Sequence, residues 1–158
     1  MKVLLLLVGK TKSDWIGAGV DQYEKKLRHY TQLQIEILPD AKRAKGWRPE
    51  EFKKHEAAQL MRKIEVADFV VLLDERGRSW RSVELAAWLE KRNVQSAQRL
   101  VFIIGGAFGF DKSIYERANL KLSLSRMTFT HEMARVLLLE QLYRGFSILA
   151  NEPYHNEG

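Results

Sequence analysis

Residues 100–109 read LVFIIGGAFG, an unbroken apolar run followed by a turn that holds three glycines. Five consecutive apolar residues at the start of this stretch predict a strand that is buried on both faces. Similar short apolar runs occur at residues 3–8 and 69–73. Strands covered on both faces are typical of a parallel sheet that lies between two layers of helices. These runs therefore decide the fold class.

Amphipathic helices separate the predicted strands. Ser13 is a candidate helix cap, and the apolar side chains that follow it recur at helical spacing, at Ile16, Val20, Tyr23, Leu27 and Tyr30. Residues 33–37 then alternate apolar and polar side chains, as a half-exposed strand does. Further predicted elements are a helix carrying Phe52, Leu60, Met61 and Ile64, a strand at 69–73 that ends at 74–77, a helix from Ser82, a short helix capped by Asp111, a strand at 120–124 and a helix at 131–150.

Strict alternation of strands and helices predicts an α/β fold with a mostly parallel sheet flanked by helices. We find no linker or internal repeat that would divide the chain, so residues 1–158 are expected to form one domain. Ligands of such folds bind beyond the carboxyl ends of the strands. A small-molecule site is therefore expected around Gly9, Asp74, Gly105 and residues 125–129.

Composition excludes several kinds of chemistry. The chain has no cysteine, which rules out disulfide scaffolds, thiolate zinc sites and cysteine nucleophiles. The four histidines share no metal-ligand spacing, so we expect no metal. Residues 3–8 are too short an apolar run to cross a bilayer, so we expect no membrane partner. The absence of cysteine fits a cytoplasmic location, which we expect. The 26 Lys and Arg residues against 20 Asp and Glu favour a polyanionic partner without identifying one.

Positive charge is concentrated between Asp40 and Lys63. This segment holds eight basic and four acidic residues. The simpler interpretation is a solvated loop followed by the outer face of a helix. The alternative is an arm that contacts phosphates, with Trp47 available for stacking on a base.

Two glycine-containing turns are candidate ligand sites. Gly9-Lys10-Thr11 follows a strand, but a phosphate-binding loop would need a glycine where Leu4 stands, so we interpret Gly9 as a turn that ends the strand. The turn at residues 105–109 lacks the spacing of a dinucleotide fingerprint. It is either a place where a ligand approaches the backbone or a tight turn that needs positive φ, and the residues alone leave both open.

The second half of the chain carries the most specific motifs: LSLSRMTFTHEMAR at 122–135, EQLYR at 140–144 and NEPYH at 151–155. Together with VGK at 8–10, LLD at 72–74 and IIGG at 103–106, they resemble the bacterial 23S rRNA pseudouridine-N3 methyltransferases of the SPOUT superfamily, the RlmH family. The resemblance covers the whole chain. Two departures are Thr130, where the family usually has proline, and Ala107-Phe108 after the paired glycines. Thr130 is expected to cap the last helix, and Phe108 to pack over the cofactor or against a partner subunit.

The resemblance implies an alpha/beta knot fold with a C-terminal trefoil knot, and a homodimer. It implies S-adenosylmethionine as cofactor, without a metal, held mainly by backbone groups of three loops. It also implies methylation of N3 of a pseudouridine in 23S rRNA of the assembled ribosome, with no DNA partner. On this chain the cofactor loops are Leu72 and Leu73, then Gly105 and Gly106, and then Leu124, Ser125, Arg126, Met127, Thr128 and Phe129.

The resemblance also implies a set of catalytic residues: His131, Arg135, Glu140, Arg144, Tyr154 and His155. We expect Tyr154 and His155 to place or deprotonate the base, with His131 as a competing proton acceptor. The two arginines would hold phosphate or offset negative charge. Helical periodicity puts Glu140 and Arg144 nearly opposite His131 and Arg135, so one pocket of one subunit cannot take all four. Without the resemblance, we would interpret Glu140 and Arg144 as an ion pair and Tyr154 and His155 as a frayed tail. The alternative function for the whole chain, favoured by the basic segment, is a non-catalytic ribosome-associated RNA-binding factor.

Overall fold

The computed structural model describes residues 1–40, 46–95 and 98–157. Within these residues, five strands alternate with five helices. In chain order they are β1 (Lys2–Val8), α1 (Asp14–Leu27), β2 (Gln32–Leu38), α2 (Pro49–Met61), β3 (Phe69–Ser79), α3 (Ser82–Gln95), β4 (Leu100–Ile104), α4 (Lys112–Arg117), β5 (Leu120–Ser123) and α5 (His131–Leu149).

The strands form one sheet in the order β2-β1-β4-β3-β5. Each strand pairing recorded among the described residues is parallel, which confirms the predicted architecture. In the centre of the sheet, Leu5 of β1 lies beside Ile35 on one side and Phe102 on the other. Because parallel strands all end at the same edge of the sheet, the loops after β1, β3, β4 and β5 are brought together there.

The pleat of the strands divides the apolar side chains between two cores. Val3, Leu5 and Leu7 of β1 pack in the core beneath α1, α3 and α5, and the alternate residues Leu4, Leu6 and Val8 pack beneath α2 and α4. All six side chains are at most 2% exposed. Complete burial of a leucine contributes about 2 kcal/mol, so the apolar run at 3–8 stabilises both layers.

Strand β3 is longer than predicted. The sequence indicated a strand that ends at Leu73, with residues 74–77 as a turn, but β3 continues to Ser79. Its pairing with β5 is interrupted, because Leu73 and Arg78 both pair with Leu122 and the residues between them leave the regular ladder. A side chain on Gly77 would lie 2.6 Å from the backbone of Lys121, so only glycine permits this close approach.

The helix ends agree with most of the predicted signals. The Asp111 carboxylate accepts from the backbone N–H of Ser113, and the Thr130 hydroxyl accepts from that of Met133 at 3.2 Å, which confirms both predicted caps. Ser13 precedes α1, but its side chain makes no capping hydrogen bond. The helix carrying Phe52 ends at Met61, whose side chain is 40% exposed and does not belong to the predicted apolar face.

Candidate active site

A cavity of about 780 Å³ opens where the carboxyl ends of the strands meet. Its walls come from the end of β3, the turn after β4, residues 124–130, the start of α5 and the start of α1. The location is the one expected for a parallel α/β sheet. A volume in this range is typical of pockets that hold drug-sized ligands and cofactors.

Most residues that the resemblance assigns to the cofactor line this cavity. They are Leu73, Gly105, Gly106, Leu124, Ser125, Met127, Thr128 and Phe129. Leu72 is fully buried on the other face of the sheet, in the core beneath α2 and α4, because successive side chains of a strand point to opposite faces. The exposed side chain of Arg126 is likewise not among the lining residues.

The paired glycines are required by close packing. An added Cβ on Gly105 would lie 2.7 Å from the ring of Phe110, and one on Gly106 would lie 2.6 Å from Oε1 of Glu56. Of the three glycines in this turn, which the structure describes in full, Gly109 is the one with positive φ, at 80°. The turn at 105–109 thus needs positive φ at Gly109, as one of its two interpretations held, whereas Gly105 and Gly106 are required by close packing. Their missing side chains make room for the Phe110 ring and the Glu56 carboxylate, and both glycines line the cavity.

The loop from Leu124 to Thr130 is fixed by its own hydroxyl groups. The Ser123 hydroxyl donates to the carbonyl of Ser125 at 2.8 Å, and the Ser125 hydroxyl accepts from the N–H of Met127 at 3.0 Å. Thr128 donates from Oγ1 to the Glu75 carboxylate at 2.5 Å and so connects this loop to β3. Two walls of the cavity are thereby held together.

A polar network on the cavity wall had no sequence signal apart from the position of Asp74 at the strand end. The Tyr115 hydroxyl donates to Oδ2 of Asp74 at 2.7 Å and accepts from Arg76 at 3.0 Å. Burial alone would raise the pKa of Asp74, but the hydrogen bonds from Tyr115 and Arg76 lower it overall. Asp74 is therefore ionised at neutral pH. It holds the part of β3 that leaves the regular pairing with β5 against α4.

The start of α5 divides its functional side chains between cavity and core. His131 is exposed on the cavity wall. Arg135, one helical turn later, is fully buried and donates to the carbonyls of Val8 and Gly9 and to the hydroxyl of Thr11, each at 2.8 Å. Because Arg135 does not line the cavity, the structure does not bring it together with His131 as the resemblance implied.

Glu132 reinforces the same contact between α5 and the loop after β1. Its Oε1 accepts from the backbone N–H groups of Lys12, at 2.7 Å, and Ser13, at 3.1 Å. These bonds lower the pKa of Glu132. The Glu132 carboxylate is thus a hydrogen-bond acceptor at the start of α1, where the Ser13 side chain makes no capping bond. This explains how the helix begins without a cap from Ser13. Sequence spacing gave no sign of this contact, because the partners are about 120 residues apart.

The four remaining predicted catalytic residues form a second cluster, away from the cavity. Arg144 donates to Oε1 of Glu140 from Nε at 3.0 Å, so the expected ion pair is present. The Tyr154 hydroxyl donates to Glu140 at 3.1 Å, and its ring lies under the Arg144 guanidinium at 4.7 Å. Arg144 also donates to Nδ1 of His155 at 3.3 Å. The tail is thus docked on α5, and the alternative of a frayed end is wrong.

Helix geometry explains the separation. Glu140 follows His131 by nine residues, which is about 13 Å along the helix axis and half a turn around it. Tyr154 contacts α1 as well, with its hydroxyl 3.4 Å from that of Tyr23. None of Glu140, Arg144, Tyr154 and His155, all of which the structure describes, lines the cavity of its own chain.

Comparison with known proteins identifies the family. The family model described as "Predicted SPOUT methyltransferase" matches residues 1–155. The chain belongs to the SPOUT methyltransferase family. A protein of Parabacteroides distasonis named Ribosomal RNA large subunit methyltransferase H is 38% identical over 157 residues, which is 99% of this chain and 100% of that protein. The protein of the same name from Phocaeicola vulgatus is 42% identical over the same shares of both chains.

A solved structure supports the fold of this SPOUT methyltransferase. It is a protein of Haemophilus influenzae Rd KW20 described as a probable methylase family protein, with a TM-score of 0.55 and 15% identity. The match covers 94% of this chain and 66% of that chain. At this identity the likeness shows the fold alone.

The basic segment of the SPOUT methyltransferase is described only in part. Lys42, Arg43 and Lys45 lie outside the described residues. Trp47 is half-buried, with its ring 5.2 Å from Phe52 and 5.5 Å from His55. Phe108 is 49% exposed and stacks on the same Phe52 at 5.7 Å. Lys63 pairs with Glu36 at 2.8 Å.

In residues 1–40, 46–95 and 98–157, no group of three His, Asp or Glu side chains is arranged to hold a metal ion. The helices within the same ranges are all too short or too polar to span a membrane.

Proposed function

We propose that this chain transfers the methyl group of S-adenosylmethionine to N3 of a pseudouridine in 23S rRNA. The observation that carries the proposal is the match, from end to end, to proteins named Ribosomal RNA large subunit methyltransferase H at 38–42% identity. The motifs at 72–74, 103–106 and 122–135 contribute residues to the walls of one cavity, which is the geometry that a cofactor-dependent group transfer needs.

The cavity fits the cofactor in size and chemistry. Backbone groups of Gly105 and Gly106, which line the cavity, and of the loop from Leu124 to Phe129 would hold it, as the resemblance implies. Apolar side chains such as Leu73, Ile104 and Leu122 provide a surface for its adenosine. When bound, S-adenosylmethionine supplies an electrophilic methyl group on a sulfonium. The residues of the chain must bind it, exclude water and position the acceptor nitrogen.

N3 of pseudouridine carries a proton at neutral pH, so the site must remove that proton or stabilise its loss. His131 is the candidate acceptor within the chain, because its imidazole lies on the cavity wall. Tyr154 is a poor base in its docked position. Burial raises the pKa of Tyr154, and the hydrogen bond with Tyr23 and the charge of Glu140 raise it further. We therefore assign Tyr154 to placing the base and not to deprotonating it.

His155 has a defined tautomer in its docked position. Arginine can only donate, so Nδ1 of His155 accepts from Arg144, and the ring proton lies on Nε2, which donates to Glu157 at 3.1 Å. Arg144 holds this ring and Tyr154 together. In the proposal Glu140 and Arg144 position the tail, and Arg144 offsets negative charge on the acceptor base.

A homodimer reconciles the two separated clusters. Because the tail of one chain does not reach its own cavity, a second copy must bring Tyr154 and His155 to the cofactor if they act there. We place this contact at a partly buried aromatic cluster, in which the Tyr143 ring of α5 packs on Tyr154 at 4.7 Å and on Tyr30 at 5.9 Å. The trefoil knot and a cytoplasmic location, where assembled ribosomes are found, belong to the same proposal.

The experiment uses purified protein, methyl-labelled S-adenosylmethionine and ribosomes from a strain that lacks the activity. We expect label in a single fragment of large-subunit RNA, and mass spectrometry should locate it on N3 of a pseudouridine. Absence of transfer would reject the proposal. Calorimetry with S-adenosylhomocysteine then tests the alternative, because a non-catalytic RNA-binding factor would not bind this cofactor product.

A further inference from the structure

Trp15 has a different environment from the other tryptophans. All four lie in the described residues, and Trp15 is the exposed one, with 65% of its surface accessible. Trp47 packs on Phe52, and Trp80 packs on Trp88 at 5.4 Å. One exposed apolar side chain needs no explanation by itself. The location of Trp15 on the wall of the proposed cofactor cavity does call for one.

Trp15 belongs to an apolar rim around the mouth of this cavity. Met127 and Phe129 stand on the facing loop and are 76% and 39% exposed. The rim therefore presents two rings and a thioether to solvent next to the place where the acceptor base must enter. Flat aromatic surfaces of this kind stack on nucleobases of any sequence.

The backbone segment that carries Trp15 is anchored to α5. It is the second residue of α1, and the loop before it is held to α5 by the two N–H groups that donate to Glu132 and by the bond from Arg135 to Thr11. Because the backbone that carries Trp15 is fixed in this way, little backbone entropy is lost on binding, which favours a role in recognition.

The charges around Trp15 favour RNA over a protein partner. Lys10 and Lys12 on the same loop and Arg126 on the facing loop are all exposed. Asp14 and Glu75 are exposed acids at this cavity, but Glu75 accepts from Thr128, and Glu132 is engaged by backbone N–H groups. Lysines are depleted from protein interfaces, whereas cations next to an exposed aromatic ring are typical of single-stranded nucleic acid binding.

We propose that Trp15 stacks on a nucleobase of the RNA substrate at the entrance of the cavity, with Lys10, Lys12 and Arg126 contacting the adjacent phosphates. The inference rests on the proposed function, because it takes the occupant of the rim to be RNA. It assigns substrate binding to the loop between β1 and α1, outside both the cofactor loops and the tail.

The test compares Trp15→Leu with Trp15→Phe for binding to ribosomes from a strain that lacks the methylation, in the presence of S-adenosylhomocysteine. We expect Trp15→Leu to bind roughly tenfold more weakly or worse, and Trp15→Phe to retain most of the affinity, because stacking needs a ring rather than apolar surface. Val66→Ala, which shortens a fully exposed side chain between α2 and β3, is the control and should bind like the wild type.

Two further measurements separate the competing explanations. Calorimetry with S-adenosylhomocysteine and sedimentation velocity should be unchanged in Trp15→Leu. Reduced affinity for the cofactor product would mean that Trp15 holds the cofactor, and a loss of dimer would mean that it faces a second copy. Either result overturns the inference, as does unchanged ribosome binding of Trp15→Leu or a wild type that does not bind ribosomes.

The inference can fail separately from the proposed function. A wild type that methylates ribosomes, together with a Trp15→Leu variant of unchanged affinity, would contradict the role of Trp15 alone. A wild type that binds ribosomes through Trp15 without transferring a methyl group would contradict the proposed reaction and leave the RNA contact in place.

Discussion

Arg135 on α5 donates from Nη2 to the carbonyl oxygen of Gly9, at the end of β1, across 126 positions of the chain and a distance of 2.8 Å. The same nitrogen donates to the carbonyl of Val8. Burial lowers the pKa of Arg135, but nearby Glu132 and Asp40 oppose the shift and the guanidinium stays charged. A buried cation bound to two carbonyls thus joins the last helix to the first strand.

This contact predicts that Arg135→Ala destabilises the fold. Loss of the guanidinium leaves the buried carbonyls of Val8 and Gly9 without their donor, and we expect the free energy of unfolding to fall by about 3 kcal/mol. Urea denaturation at a fixed protein concentration measures the change. Arg126→Ala, at an exposed position, should stay within about 0.5 kcal/mol of the wild type. If Arg135→Ala kept its stability but lost turnover, Arg135 would instead be assigned to substrate binding.

The close packing at Gly105 predicts that Gly105→Ala weakens cofactor binding. The new Cβ would overlap the Phe110 ring at 2.7 Å, so the cavity wall must shift. We expect affinity for S-adenosylhomocysteine to drop by roughly tenfold or more, since over-packing typically costs 1–3 kcal/mol. Gly17→Ala is the matched control, because an added Cβ there meets no atom within 4 Å. Equal affinities of the two variants, measured by calorimetry, would show that the turn at Gly105 does not bind the cofactor.

The docked tail predicts a selective effect of Tyr154→Phe. The variant keeps the ring that packs on Tyr143 and Arg144 and loses only the hydroxyl bonded to Glu140. We expect kcat on ribosomes to fall by roughly tenfold or more, because the proposal has the Tyr154 hydroxyl place the acceptor base, while cofactor affinity and the oligomeric state are unchanged. Single-turnover methylation measures the chemical step. Normal turnover would show that the Tyr154 hydroxyl has no part in the reaction.

An ion pair at the opposite end of the sheet predicts loss of stability in acid. Asp68, which is 5% exposed, accepts from Arg99 at 3.0 and 2.7 Å. Burial alone would raise the pKa of Asp68, but the hydrogen bonds and charge of Arg99 lower it overall. The stabilisation is therefore complete above the unfolded pKa of about 3.9 and is lost as the pH falls through the lower folded value.

Asp68→Asn tests this pH dependence. We expect the variant to unfold with about 2 kcal/mol less free energy than the wild type at pH 7, since a hydrogen-bonded charge is lost. The difference should shrink when urea denaturation is repeated near pH 3. A difference that is independent of pH would assign the effect to packing.

The hydrogen bond from Tyr30 to Glu152 predicts a loss of stability in alkali. Its hydroxyl donates to Glu152 at 2.5 Å, and burial, reinforced by Glu152, raises the pKa of Tyr30 to about 12. The protonated phenol therefore stabilises the docked tail below pH 10, and this contribution disappears as the pH rises toward 12. Absorbance of tyrosinate between pH 9 and 12 should show a late-titrating group that is absent from Tyr30→Phe. The same titration curve for both proteins would contradict the assignment.

The sequence by itself determined the layers of the fold. The apolar runs at 3–8 and 100–104 are buried on both faces, and Asp111 and Thr130 cap the helices that follow them. These features are local, because strand burial, helix period and capping depend on residues a few positions apart. The order of the motifs at the strand ends also located the cavity, since parallel strands must all end at one edge.

Tertiary structure alone decided what the polar side chains of the site do. His131 and Arg135 are one helical turn apart, yet the first opens on the cavity and the second is buried against β1. Whether a helix position meets solvent, a ligand or buried carbonyls depends on which distant segment packs over it, and no local pattern encodes that partner. The docking of Tyr154 on Glu140 and the contact between Tyr115 and Asp74 arise in the same way, from segments that meet only when the sheet has formed.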